Sequence, residues 1–132
     1  MAHLLADLSV RLNADGISWT LLEPMEYHVE SRNGDEEIVV PQDFTTDFAS
    51  VPWFARWFIS TWKRTARAAV IHDYLYSTEG QENHTYTRKR ADAILLEVLG
   101  VMKHKRRIFV WLAVRAFGWI AWNENAPKPG DT

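Results

Sequence analysis

The period of the hydrophobic pattern changes once along this 132-residue chain, and that change limits the folds open to it. From about Leu8 to Val40 apolar and polar residues alternate, as in Ile17-Ser18-Trp19-Thr20-Leu21, Tyr27-His28-Val29-Glu30-Ser31 and Glu37-Ile38-Val39-Val40. A two-residue period puts every second side chain on one face of a strand. Beyond Trp62 the chain reads as helices, and over 88–102 Ala91, Ile94, Leu95, Val98 and Leu99 recur at spacings of three and four, which line one side of a helix instead. The expected fold class is therefore α+β, with a small antiparallel N-terminal β-sheet of three or four strands followed by a helical bundle. One domain spanning 1–122 is expected, β-rich over 1–44 and helical over 45–122, with a disordered polar tail at 123–132.

Turn chemistry supports the first half. Asn33-Gly34 between two alternating runs is a strong hairpin signal, and Asp15-Gly16 between 8–12 and 17–22 suggests a second hairpin. Pro41 to Val51 reads as a loop whose Thr, Asp and Ser side chains satisfy backbone groups locally, with Ser50 capping a very apolar helix from Pro52 to about Ile59. Ser60-Thr61 is placed to cap a helix over about 62–77. Ser77 to Tyr86 is expected to be a polar loop. Thr87 caps a helix over about 88–102, with Ala91, Ile94, Leu95, Val98 and Leu99 on its buried side, and one last helix is expected over 105–122.

Composition excludes several classes. A net charge of −2 gives no overall electrostatic footprint for nucleic acid, and the basic runs at 63–67, 88–90 and 103–107 read as solvated helix termini. With no cysteine there is neither a disulfide nor a thiolate metal site, which favours a reducing compartment. The first residues do not read as a signal peptide. The most apolar run, Ile108 to Trp122, is fifteen residues interrupted by Arg115, short of the ~20 that a membrane span needs. Six of the seven tryptophans, Trp53, Trp57, Trp62, Trp111, Trp119 and Trp122, lie from Trp53 onward. They are expected to fill the core, or else to form an aromatic rim touching lipid headgroups or a partner protein.

The chemistry concentrates in Ala69-Val70-Ile71-His72-Asp73-Tyr74-Leu75-Tyr76, together with Asp92. Imidazole and carboxylate groups in an apolar helix need partners. If 62–77 and 88–102 form an antiparallel helix pair, His72 and Asp92 each lie about five residues from the connecting loop, so both sit roughly 7 Å from it at a ~1.5 Å rise per residue. An imidazole and a carboxylate can then meet across the pair. Such a contact fixes the ring tautomer and makes the other nitrogen a better base. Tyr76, four residues on, shares the face of His72 and can reach Asp92, whereas Asp73 is turned ~100° away and is available to a cation. A buried structural network of the same residues is the alternative.

His72-Asp73-x-x-Tyr76 followed by Asp92 resembles the phospholipase A2 superfamily, the prokaryotic members most of all. The resemblance implies a water activated by His72, calcium held by Asp73, and His72 oriented by Asp92, with Tyr76 in the tyrosine role. The upstream loop Thr46-Asp47-Phe48-Ala49-Ser50 occupies the region of that superfamily's calcium loop, where Asp47 can offer a hard oxygen. The chain departs from the secreted lipases in having no cysteine and no glycine-rich loop. A more extensive resemblance, over roughly 18–120, is to the domain of unknown function 1353 family. It rests on Val40-Pro41, Phe44-Thr45-Thr46-Asp47-Phe48-Ala49-Ser50-Val51-Pro52, Ala68 to Tyr76 and Arg88 to Asp92. It implies a bacteriophage or prophage origin, and so a location in host cytoplasm or virion, without an established activity.

Three functions follow as expectations. One is a calcium-dependent hydrolase of phospholipid or another acyl ester, with catalytic His72, Asp92 and Tyr76, calcium on Asp73 and Asp47, and interfacial membrane contact. The second is a non-catalytic virion, tail or host-protein-binding component in which His72, Asp73 and Asp92 are structural. The third, a metal phosphohydrolase of the His-Asp type, needs further ligands that His3, His28, His84 and His104 do not supply in matching contexts.

Overall fold

A computed structural model describes residues 9–29, 36–47, 66–83 and 86–126. The chain divides into two compact units, Met1–Asp47 and Phe48–Thr132. Antiparallel strands fill the first and helices the second, an α+β organisation.

In the first unit β1 (Val10–Leu12) and β2 (Trp19–Leu21) form an antiparallel hairpin with Leu12 opposite Trp19. Its turn is organised by Asp15, whose Oδ1 accepts the amides of Ile17 and Ser18 at 2.9 Å each and whose Oδ2 accepts the Ser18 hydroxyl at 2.7 Å. Those backbone donors hold the Asp15 carboxyl below the usual carboxylate range. Gly16 follows at φ 73°, a conformation that side chains with a Cβ resist. β3 (Met25–Val29) and β4 (Glu36–Val40) pair antiparallel with Tyr27 opposite Ile38, as the expected hairpin requires; its Asn33-Gly34 turn lies outside the described residues. Met25, Tyr27, Val29, Ile38 and Val40 point inward and Glu26 and His28 outward, so the alternation in the sequence is the alternation of faces.

Three expectations about this half change. The strands form two sheets, β1-β2-β5 and β3-β4, where a single small sheet was expected. The second strand begins at Trp19, because Asp15 holds the amides of Ile17 and Ser18 in the turn. β5 (Thr45–Thr46) lies inside the stretch expected to be loop, and 45–46 is thus strand where helical territory was expected to start. It pairs with β2, and the Thr20 and Thr45 hydroxyls meet at 3.0 Å. A two-residue strand carries too short a pattern to show a period.

The second unit is helical. α1 (Ala66–Tyr76) buries nine of its eleven residues, with only Arg67 and Asp73 half-exposed. Three alanines let neighbouring helices approach it closely. α2 (Thr78–Asn83) is a short helix where a polar loop was expected. The Ser77 hydroxyl accepts the Gly80 amide at 3.0 Å, and Gly80 packs so tightly on the Tyr74 carbonyl that a Cβ there would overlap it. α3 (Arg88–Val101) starts as expected at Thr87, whose hydroxyl accepts the Arg90 amide at 3.1 Å, and it buries Ala91, Asp92, Ile94, Leu95, Val98 and Leu99. The last helix divides at Gly118 into α4 (Arg107–Phe117) and α5 (Trp119–Asn125), ending three residues beyond Trp122.

The tryptophans do not form the core among the described residues: Trp19, Trp111 and Trp122 are half-buried and Trp119 is exposed. Trp53, Trp57 and Trp62, the Pro52 helix and the Ser60-Thr61 cap lie outside the described residues. Aliphatic side chains and tyrosines fill the interior instead, among them Ile71, Leu75, Tyr76, Leu95 and Leu99. Among the described residues, no helix is long and apolar enough to cross a membrane.

Candidate functional site

α1 and α3 bring the predicted residues together. His72 Nε2 lies 2.7 Å from Asp92 Oδ1, and the Tyr76 hydroxyl donates to the same oxygen at 2.5 Å. Along α1 from His72 to Tyr76 the partners on α3 run from Asp92 back toward Arg88, which identifies the pair as antiparallel. All three side chains are buried; His72, Tyr76 and Asp92 each expose 0% of their surface. The His72 and Tyr76 rings lie one helical turn apart with centroids 4.2 Å apart.

Two arginines that the helix-pair spacing does not predict complete the other half of the carboxylate. Asp92 Oδ2 accepts Arg115 Nη1 from α4 at 2.7 Å, and Arg88 Nη1 lies 3.5 Å away one turn before Asp92 on α3. Arg88 also donates to the carbonyls of Val114 and Arg115 at 3.1 and 3.3 Å, tying α3 to α4 beside the carboxylate. One signal was present: a lone arginine in an apolar helix needs an anion, and Asp92 is the buried one.

These contacts set the charge states. Burial pushes the Asp92 carboxyl up, but His72, Tyr76 and Arg115 together outweigh it and hold Asp92 below the usual carboxylate range. Burial pushes the Tyr76 hydroxyl up, and the adjacent Asp92 charge pushes it further, so Tyr76 stays a protonated donor. With Asp92 an acceptor only, the proton shared with His72 belongs to Nε2. In the neutral ring that leaves Nδ1 as the basic nitrogen.

The terminal helices close over this centre. Tyr76 meets Trp122 edge to face at 5.1 Å between centroids, Gln81 bridges the carbonyls of Tyr76 and Trp122 at 2.9 and 3.1 Å, and Thr78 donates to the Asn125 carbonyl at 2.7 Å. Gly118 leaves room for the Tyr76 hydroxyl, since a Cβ there would come within 2.7 Å of it.

The two expected metal ligands are placed differently. Asp73 is half-buried on α1, whereas Asp47 is exposed and belongs to the first unit. Among the described residues, neither belongs to a group of three converging His or carboxylate side chains. Glu26, His28 and Glu37 do, on the exposed face of β3-β4, where His28 and Glu37 form a cross-strand pair at 3.5 Å.

No curated protein and no solved structure matches the chain. A family model described as "Protein of unknown function (DUF1353)" matches residues 19–114, most of both the strand and the helical regions, and the chain belongs to that family.

Proposed function

We propose that this chain is an acyl-ester hydrolase with chemistry of the phospholipase A2 kind, in the bacteriophage or prophage setting that the family resemblance implies. The observation that carries the reading is the placement of His72 and Tyr76 on one oxygen of Asp92. Asp92 orients the imidazole and stabilises the positive charge that it gains when Nδ1 takes a proton from water. The water oxygen bonds to the ester carbon, and the proton passes from His72 to the departing alkoxide as the ester C–O bond breaks. Tyr76 and Arg115 keep the carboxylate fixed and ionised throughout.

Calcium on Asp73 and Asp47 belongs to the same reading. Asp73 is one residue from His72, but the described geometry joins it to no cluster of ligating side chains, so no step above is routed through a cation. The full burial of His72, and the two arginines at Asp92, favour the second reading, a non-catalytic phage virion or host-interaction protein with His72, Asp73 and Asp92 in a structural network.

Fatty-acid release from phospholipid vesicles, with calcium and with chelator, separates the two. The hydrolase reading expects release that His72→Asn lowers at least 100-fold while the circular dichroism spectrum and cooperative melt persist. Absence of release by the folded wild-type chain, with His72→Asn destabilised, supports the structural network. Release in calcium but not in chelator, lost in Asp73→Asn, supports the cation.

A further inference from the structure

A helix that is apolar all round is ordinarily buried all round. α4 departs from that rule. Val110, Ala113 and Val114 face the unit's interior, yet Ile108, Phe109 and Leu112, on the opposite arc, are 45–53% exposed. At ~100° per residue these three span an arc of about 100° centred well away from the buried side. The stripe continues past α4, because Gly118 keeps right-handed helical angles (φ −65°, ψ −17°) and the Gly118 and Trp122 amides bond to Val114 and Gly118 carbonyls at 2.8 and 3.0 Å. Trp119 then falls on the same arc and Ile120 about 20° beyond its edge, and they are 52% and 48% exposed. From Ile108 to Ile120 the stripe is ~18 Å long at a ~1.5 Å rise per residue.

Charge identifies what fits this surface. Lys103, Lys105, Arg106 and Arg107 are exposed at one end of the stripe, and no acidic residue occurs between Glu97 and Glu124, although the whole chain carries −2. We propose that the α4–α5 face docks onto an anionic lipid bilayer, with Ile108, Leu112, Trp119 and Ile120 in the headgroup boundary and the 103–107 cations on lipid phosphates. Basic residues beside a Trp- and Phe-bearing apolar face are the composition of a helix lying in the membrane interface. A second copy would present the same acid-free, cationic surface, so self-association gains no charge complementarity.

The inference concerns binding alone and stands apart from the hydrolase reading, so its test uses ether-linked lipids that have no acyl ester to cleave. The full chain is sedimented with vesicles of ether-linked phosphatidylglycerol and phosphatidylcholine, and with phosphatidylcholine alone. Binding at least tenfold tighter to the anionic vesicles, weakened in 0.5 M salt and by the paired charge reversal Lys105→Glu, Arg106→Glu, is expected. Leu112→Glu with Ile120→Glu, both exposed positions, is expected to abolish binding with the melt unchanged. Equal or absent binding to the two vesicle types overturns the proposal. So does a dimer in sedimentation velocity that Leu112→Glu dissociates, because the face is then covered by a second copy.

Discussion

Asp92 receives three hydrogen-bond donors on its two oxygens and a fourth charged neighbour in Arg88, and its removal should be felt throughout the helical unit. Asp92→Asn keeps the shape but takes away the charge that faces Arg115, His72 and Arg88. Breaking one side of a buried ion pair costs ~3–5 kcal/mol, so a fall of that size in urea unfolding free energy is expected. Tyr76→Phe deletes one charge-assisted bond without changing the ring contacts to His72 and Trp122, and the expected loss is ~1.5–3 kcal/mol. The same two groups define a pH window. Asp92 titrates lower when folded than its ordinary 3.8, so its contribution is present above that pH and fades as pH falls below it. Tyr76 titrates higher when folded than its ordinary 10.0, so its contribution is present below pH 10 and fades as pH rises beyond it. Chemical denaturation across pH should show loss at both edges, and Tyr76→Phe should remove the alkaline part that belongs to this residue.

The meeting of His72 with Asp92 was legible in the sequence because both lie about five residues from one connection. That distance holds whether the connection is loop or, as found, partly the short helix α2. Arg115 was not legible as a partner. It reaches Asp92 from 23 residues downstream, and only the packing of α4 against α3 decides which carboxylate a distant arginine finds.

Among the elements, the α3–α4 connection carries a local cost. Lys103 has φ 58° in a Schellman-type C-cap, its amide bonding the Gly100 carbonyl at 3.0 Å while the His104 amide bonds the Leu99 carbonyl at 2.9 Å. A residue with a Cβ is strained there, so Lys103→Gly should raise stability, by ~0.5–1 kcal/mol after the added unfolded-state freedom of glycine is set against the relieved strain. Thermal melts measure it directly. At the α4–α5 junction the opposite change is harmful. Gly118→Ala places a Cβ 2.5 Å from the Val114 carbonyl and 2.7 Å from the Tyr76 hydroxyl, so the end of α4 or Tyr76 must move. A loss of ~1–3 kcal/mol is expected, together with a changed near-ultraviolet dichroism from Tyr76 and Trp122. The division of the last helix could not be read from periodicity, since Gly118 retains helical angles and the apolar pattern runs through it.

For the molecule as a whole, ligand linkage gives a test that needs no substrate. A cation that binds only the folded chain, supplied at ~100 times its dissociation constant, adds ~2.7 kcal/mol and raises the melting temperature accordingly. Under the proposed hydrolase reading, with Asp73 as a ligand, calcium should produce that shift in the wild type and not in Asp73→Asn. Sequence alone determined the succession of strands by helices, the inward faces of β3, β4 and α3, and the opposition of His72 and Asp92, because each follows from a period or spacing along one or two elements. Tertiary packing decided the two-sheet pairing through β5, the arginines that complete Asp92, and, among the described residues, an interior of aliphatic side chains and tyrosines with the tryptophans at least partly exposed. Those depend on which surfaces meet, and a hydrophobic residue's position in a period says that it must be covered without saying by what.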